Sequence, residues 1–80
     1  MTTKMKNVRS MFIAAIGYNE TEKHLTIRMR NGKGYRYYGV SKNRFTRFLR
    51  ASSKGFYFTS HIKGKFQMRR LKERYFNSHK

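Results

Sequence analysis

The stretch HLTIRMRNGKGYRYYGV, residues 24–40, contains two runs of alternating polarity on either side of a glycine-rich turn. In the first run, Leu25, Ile27 and Met29 alternate with polar or basic residues, which is typical of a β-strand with one apolar and one solvated face. The Asn-Gly pair that follows can supply the positive φ angles that a tight turn needs. The stretch therefore predicts a β-hairpin.

The second run divides its tyrosines between the two faces of this hairpin. By the same two-residue period, Tyr35 and Tyr37 share the apolar face, whereas Arg36 and Tyr38 share the basic face. Aromatic side chains on a strand face belong to a core more often than to a ligand site. We therefore expect Tyr35 and Tyr37 in the core and Tyr38 on the outer surface.

The flanking segments extend the hairpin to an α+β fold. MFIAAIGYN, residues 11–19, predicts a preceding strand, so the chain should contain a three-stranded antiparallel meander. Phe45, Phe48 and Leu49 then have the i, i+3, i+4 spacing of an amphipathic helix, and Ser41 can cap its start.

The last part of the chain predicts further helix. A short helix should end at Gly64, and the apolar spacing from Phe66 to about Asn77 fits an amphipathic helix. The pattern thus predicts one small domain in which the meander is followed by two or three short helices. Its expected parts are a flexible basic N-terminus over residues 1–9, the domain over residues 10–71, and a basic helical extension or tail over residues 72–80.

The charge of the chain is large and one-sided. It has 20 Lys and Arg against 3 Asp and Glu, which gives a formal net charge of +17. No acidic residue lies between Lys23 and Lys72. A protein that needed only solubility would mix both signs. The distribution therefore indicates a polyanionic partner, with nucleic acid first and an anionic membrane or an acidic protein after it.

Catalysis and metal binding have few candidate residues. The three acids do not form the carboxylate pair that general acid–base chemistry uses, and the absence of cysteine excludes disulfides and thiolate metal sites. A ribonuclease built on His24 and His61 is the one enzymatic alternative. We therefore expect a protein that is not an enzyme and that holds no cofactor or metal. No apolar run approaches the length of a membrane span, so we expect a cytoplasmic protein.

A series of short motifs runs through nearly the whole chain, from about Val8 to Leu71. The motifs are IAAIGY at residues 13–18, LTI at residues 25–27, Tyr35-x-Tyr37 within NGKGYRYYGV, ASSKGFYF at residues 51–58, and then Ile62, Lys63, Gly64 and Phe66. Their order and spacing resemble the KTSC domain, a short module at the C-terminus of some lysyl-tRNA synthetases and a free-standing small protein in bacteria and phages. The resemblance implies an RNA-binding role and brings no catalytic residues.

The sequence also departs from the common pattern of that family. Ser41 and Ser52 stand where proline is common, and Thr59 stands where asparagine is expected. The charge is more positive than in a typical member, and the tail after Leu71 is extra. The extra charge strengthens the expectation of a polyanionic ligand for this chain.

A basic and aromatic surface is the expected interaction site. Phosphate contacts need clustered Lys and Arg, and unpaired bases need exposed rings to stack on. The outer sheet face and a stripe of arginines on the first helix would supply both. The predicted nucleic-acid-binding residues are Arg28, Arg30, Arg36, Tyr38, Arg44, Arg47, Arg50, Lys54, Lys63, Lys65, Arg69 and Arg70.

The class of ligand follows from what the sequence lacks. It contains no helix-turn-helix or zinc-finger pattern, so we expect backbone or shape recognition of RNA or single-stranded nucleic acid, with RNA before DNA. The alternative is a small phage-like regulator that binds a host protein assembly, such as a ribosome (a ribonucleoprotein) or an RNA polymerase, through the same basic surface. An anionic membrane surface ranks third.

Overall fold

Five antiparallel strands form one sheet in the computed structural model, which describes residues 5–71. The order of the strands in the sheet follows their order in the chain. The strands are β1 (Met5–Asn7), β2 (Ile13–Asn19), β3 (His24–Met29), β4 (Gly34–Tyr38) and β5 (Gln67–Leu71). Between β4 and β5 lie helix α1 (Lys42–Arg50) and the short helix α2 (Lys54–Tyr57), which continues as a π-helical turn (Phe58–Ile62). The α+β class is thus confirmed.

The predicted meander is the centre of the sheet, formed by β2, β3 and β4. The turn between β3 and β4 differs in detail from the expectation. The Asn-Gly pair was expected to supply the positive φ angles, but only Gly32 has a positive φ in this turn, of 90°. The side chain of Asn31 instead accepts a hydrogen bond from the Lys33 amide at 3.0 Å. The amide of Met29 bonds to the Lys33 carbonyl at 2.8 Å, which closes a three-residue loop with its glycine in the left-handed region.

The helix predicted from Phe66 to about Asn77 is wrong over Gln67–Leu71, which is strand β5, and its remainder lies outside the described residues. Most of the β5 side chains are exposed, so their spacing carries little information about a buried face. The strand conformation of β5 is instead explained by its pairing with β4. The amides and carbonyls along the edge of β4 need hydrogen-bond partners, and β5 supplies them.

The N-terminal segment also joins the sheet. Residues 1–9 were expected to be flexible, yet Met5–Asn7 pairs with β2 as an edge strand. The five-stranded sheet is therefore wider than the three-stranded meander that the alternation predicts. The bounds expected for the domain, residues 10–71, stay a prediction.

The core lies between the sheet and the helices. Leu25, Ile27 and Tyr37 face the helices, and Phe48 of α1 is fully buried against them. The rings of Tyr37 and Phe58 meet edge-to-face with centroids 5.7 Å apart, which adds a directional contact to the burial. The assignment of Tyr37 to the core is thus confirmed. Half-buried Tyr35 packs against the edge of the same cluster.

Helix α1 is the amphipathic helix expected from its apolar spacing. Ser41 caps it, because the Oγ atom accepts a hydrogen bond from the Arg44 amide at 3.1 Å. Phe45 stacks on Tyr18 of the sheet with centroids 4.6 Å apart. The hydroxyl of Tyr18 donates to the carbonyl of Val40 at 2.7 Å, which fixes the start of the helix against β2.

The other face of the sheet, called here the outer face, packs against no helix of the described residues. It carries Arg28, Arg36 and Tyr38, as the two-residue period predicts. Two of its residues are nevertheless buried, since Thr26 is fully buried and His24 is 8% exposed. His24 lies on the same face as Arg28, as the two-residue period predicts, but its side chain is buried and not solvated.

Candidate nucleic-acid interface

The outer face holds the first group of predicted binding residues. Arg36 on β4 lies directly across from Arg69 on β5, and its Nε atom donates to the Thr26 hydroxyl at 3.4 Å. Arg28 lies two residue pairs further along the sheet, opposite Gly34 and on the same face. The structure therefore brings these three arginines onto one surface.

Tyr38 contributes less free ring area than predicted. Its ring is half-buried and meets His24 edge-to-face with centroids 6.0 Å apart. The pKa of His24 is lowered by burial first and by the positive charge of Arg36 second, while Glu22 acts in the opposite direction. His24 therefore favours its neutral form here and adds little positive charge to the outer face.

Two of the predicted binding arginines lie away from the outer face: Arg30, which was assigned to it, and Arg70, which was expected to extend the charge around the domain. Arg30 follows the end of β3, and its guanidinium donates to the carbonyls of Ser10 and, at 3.4 Å, Val8. Arg30 thus holds the β1–β2 connection against the hairpin. Arg70 lies across from Tyr35, on the side of the sheet that the helices cover.

The three arginines predicted as one stripe on α1 have three different surroundings. The guanidinium of Arg44 reaches the Tyr57 hydroxyl at 3.5 Å and is half-buried. Arg47 is exposed on the helix, and Arg50 turns toward the N-terminal segment. Lys63 and Lys65 are exposed in the turn at Gly64, apart from this helix.

A groove between the N-terminal segment and α1 brings four basic side chains together. It has a volume of about 520 Å³, and we call it the basic groove. Lys6 and Arg9 line one wall, and Arg50 and Lys54 line the other. Among the described residues no carboxylate lines it. The groove is therefore a concave surface on which several phosphates could be neutralised together.

Local structure positions each wall of the basic groove. Lys6 lies opposite Ile16, so its side chain is on the helix-covered side at the edge of the sheet. The amide of Val8 bonds to the Ala14 carbonyl at 3.0 Å and keeps the N-terminal segment close to β2. On the other wall, the Lys54 ammonium donates to the Ala51 carbonyl at 3.2 Å, just beyond the end of α1.

The charge is not uniform along this side of α1. A second hollow of about 430 Å³ shares Lys6 and Thr46 with the basic groove. It contains an ion pair between Lys42 and Glu20, with the Nζ and Oε1 atoms 3.2 Å apart. Within residues 5–71, positive charge is thus compensated at the start of α1 and uncompensated at its end.

Sequence reasoning missed Lys6 and Arg9, because the N-terminal segment was expected to be flexible. It found Arg50 as part of the arginine stripe on the first helix and Lys54 as part of the surrounding basic surface, but it did not bring the two together in one groove. The hydrophobic Val8, which packs against the core, was the available signal in the sequence that this segment returns to the domain.

The comparisons with known proteins agree with this architecture. The sequence profile described as "KTSC domain" matches residues 9–66. The chain belongs to the KTSC domain family. A crystal structure of a KTSC domain protein from Yersinia pestis is 35% identical, covers 89% of this chain and 100% of its own, and superposes with a TM-score of 0.86. No curated protein matches the chain.

The KTSC motifs have structural places in this fold. Tyr35-x-Tyr37 puts both rings on the helix-covered side, so the motif serves packing. Ser41, which replaces a common proline, supplies the cap of α1. Thr59, at a position where asparagine is expected, donates its hydroxyl to the Gly55 carbonyl at 2.9 Å. These departures from the family pattern are therefore compatible with the KTSC fold.

The enzymatic alternative depends on two histidines that lie on different elements of this KTSC domain. His24 lies on the outer face, whereas His61 packs on Tyr57 on the helix-covered side, with ring centroids 4.6 Å apart. The sheet therefore separates the two histidines of the enzymatic alternative. Residues 5–71 contain no cluster of three or more His, Asp or Glu that could hold a metal ion. No helix among them is long and apolar enough to cross a membrane.

Proposed function

We propose that this KTSC domain is a non-catalytic nucleic-acid-binding module whose basic groove holds the phosphates of one strand. The observation that carries the proposal is the convergence of Lys6, Arg9, Arg50 and Lys54 on one concave surface without a carboxylate among its lining residues. Such a cluster favours a polyanion, because each phosphate that it neutralises releases condensed counterions.

The remaining charge supports a path rather than a single anion site. Arg47 continues the positive surface along α1, and the arginines of the outer face add a second basic area. A ligand with regularly repeated phosphates can use several of these contacts, whereas a small anion uses one. RNA is our first choice of ligand, because backbone and shape recognition are the usual modes for RNA.

The test compares two triple variants that remove the same charge. In the groove variant, Lys6, Arg9 and Arg50 are replaced by Gln. In the control variant, Lys33, Lys63 and Lys65 are replaced by Gln, since these exposed residues do not line the groove. Lys54 is kept in both because it also bonds to the end of α1.

Affinity for RNA is measured at several salt concentrations for the wild type and both variants. On a single strand, each phosphate contact contributes about 0.7 to the slope of log K against log salt. The groove variant loses three contacts, so its slope should be less steep by about two units. The control variant should change the slope much less. Two unrelated RNA sequences should respond alike, because phosphate contacts carry no base information.

Equal slopes for the two variants would show that binding depends on net charge and not on the groove. An absence of wild-type binding to both RNA and DNA would overturn the proposal. The alternative from the sequence, a regulator of a host ribosome or polymerase, would then take its place. Partners that survive nuclease treatment of a pull-down would identify that case.

A further inference from the structure

Three large apolar side chains are exposed next to the basic groove. Met11 is 85% exposed, Phe12 is 60% exposed and Phe56 is 70% exposed. They line a cleft of about 240 Å³ between the start of β2 and helix α2. Arg9 and Lys54 line this cleft as well as the basic groove, so the two surfaces are continuous. We call the exposed trio the aromatic ledge.

Both rings of the ledge sit on backbone that hydrogen bonds hold in place. The amide of Phe12 donates to the Ser10 hydroxyl at 3.3 Å, and its carbonyl accepts from the Arg30 amide at 2.8 Å. The amide of Phe56 donates to the Ser53 hydroxyl at 3.3 Å at the start of α2. A ligand would thus meet rings on ordered backbone, which lowers the entropic cost of binding.

Gly55 lets the two halves of the ledge approach each other. A Cβ atom built on this glycine would lie 3.0 Å from the Cδ2 atom of Phe12, closer than ordinary van der Waals contact. The Phe12 ring therefore lies directly on the backbone of α2 at Gly55. Gly55 is the residue before Phe56, and Phe12 and Phe56 line the same cleft. A larger residue at Gly55 would displace the ring.

The shape and polarity of the cleft favour a nucleobase as the occupant. Bases stack on exposed aromatic rings while cations hold the adjoining phosphates. Ser52 and Ser53 also line the cleft, and such polar residues suit the polar edges of a base. A membrane-binding surface would instead bury these apolar side chains at the boundary of lipid headgroups and acyl chains, and the vesicle measurement below distinguishes that case.

We propose that Phe12 and Phe56 stack unpaired bases of a strand whose phosphates lie in the basic groove, so that the site selects single-stranded over duplex nucleic acid. This inference rests on the proposed function. In a duplex the base faces are already stacked on one another and cannot reach the rings. The aromatic ledge thus gives the groove a preference that charge alone cannot provide.

The first experiment measures affinity for a short oligouridine and for an RNA duplex of the same length. Replacing Phe12 and Phe56 by Leu keeps the surface apolar but removes the rings. We expect at least about a fivefold loss on the single strand, no comparable loss on the duplex, and an unchanged salt slope. The control is Met68→Ala, which removes an exposed apolar residue on β5.

The second experiment reports stacking directly. The chain has no tryptophan, so Phe56→Trp introduces a single reporter. Stacking on bases should quench its emission when oligouridine is added, and the duplex should leave the emission nearly unchanged. Vesicles with a third of their lipid anionic should leave it unchanged too.

The possible failures point to different causes. If the wild type binds no nucleic acid at all, the proposed function fails and this inference fails with it. If the wild type binds RNA but the Leu variant loses no single-strand affinity, only the aromatic ledge is overturned. A blue-shifted Trp emission on vesicles, without quenching by oligouridine, would overturn it in favour of a membrane surface.

Discussion

The two faces of the sheet follow the same two-residue alternation but reach burial by different routes. The helix-covered face buries Leu25, Ile27 and Tyr37 under aromatic side chains of the helices. The outer face buries Thr26 and His24 although no helix of the described residues covers them. Periodicity therefore predicts which residues share a face, and it does not predict how much of that face water reaches.

The two faces should also differ in how strongly their contribution to stability depends on salt and pH. The helix-covered face is held by apolar contact, which does not depend on salt or pH to first order. The outer face combines like charges with a buried histidine, so its contribution to stability should respond to both. Substitutions at paired positions on the two faces can test this contrast.

The largest expected effect comes from neighbouring tyrosines on opposite faces. Tyr37→Ala should lower the free energy of unfolding by about 3–5 kcal/mol, because it empties a buried site against Phe58. Tyr38→Ala should cost clearly less, since its ring is half-buried. Chemical denaturation of both variants measures the two values. A larger loss for Tyr38→Ala would reverse the assignment of the two faces.

An intermediate effect is expected from cross-strand charge on β5. Arg69 lies opposite Arg36 on the outer face, and like charges directly opposite are unfavourable. Arg69→Gln should therefore raise the free energy of unfolding by about 0.2–1 kcal/mol at low salt. The gain should shrink as salt shortens the Debye length to about 10 Å at 0.1 M.

Arg70→Gln is the matched control, because Arg70 lies next to Arg69 but opposite Tyr35 on the other face. It should stabilise less than Arg69→Gln does in thermal melts at low salt. The wild type itself should melt at a higher temperature as salt is added, since its charges repel one another. Equal gains from both variants would mean that only net charge matters and not the pairing across the strands.

The smallest effect expected is a dependence of stability on pH at His24. Burial and Arg36 lower its pKa in the folded protein, so the unfolded chain binds more protons between that lowered pKa and about 6.5. Stability should therefore rise with pH through this window and fall as the solution is acidified. Denaturant melts from pH 7 to pH 4 measure the slope.

His24→Gln should flatten that slope even if it lowers stability at every pH. His61→Gln is its control, because it replaces an exposed histidine on the opposite side of the sheet, away from Arg36. A slope that survives His24→Gln would assign the acid sensitivity to other groups.

Much of the fold could be predicted because alternation and capping are local signals. Tyr37 and Tyr38 were assigned to the correct faces, and Ser41 to the start of α1, from spacing alone. The two edge strands were not found, because Met5–Asn7 and Gln67–Leu71 expose most of their side chains. Their strand conformation depends on hydrogen bonds to the backbone of β2 and β4. Such backbone pairing produces no residue pattern in the two edge segments, so it cannot be predicted from their sequence.

The basic character of the candidate site could be predicted from the sequence, whereas its location on the domain could be predicted only in part. The charge indicated a polyanion, and Arg50 and Lys54 were among the predicted residues. The basic groove also needs Lys6 and Arg9, which reach it only through the pairing of β1. Phe12 and Phe56 have apolar side chains that sequence patterns assign to a core, and only three-dimensional burial shows them to be exposed.

The matching of strand order to chain order has a consequence for how quickly the sheet can assemble. The central hairpins join neighbouring segments, and such local contacts form early and fast. The connection between β4 and β5 is about seven times as long as the β3–β4 turn. Closing this longer loop costs about 1.7 kcal/mol more in chain entropy, so the β4–β5 pairing should form later. We expect β5 to add last, after α1 and α2 have shortened that connection by docking. Substitutions in β5 should therefore speed unfolding while leaving the folding rate nearly unchanged.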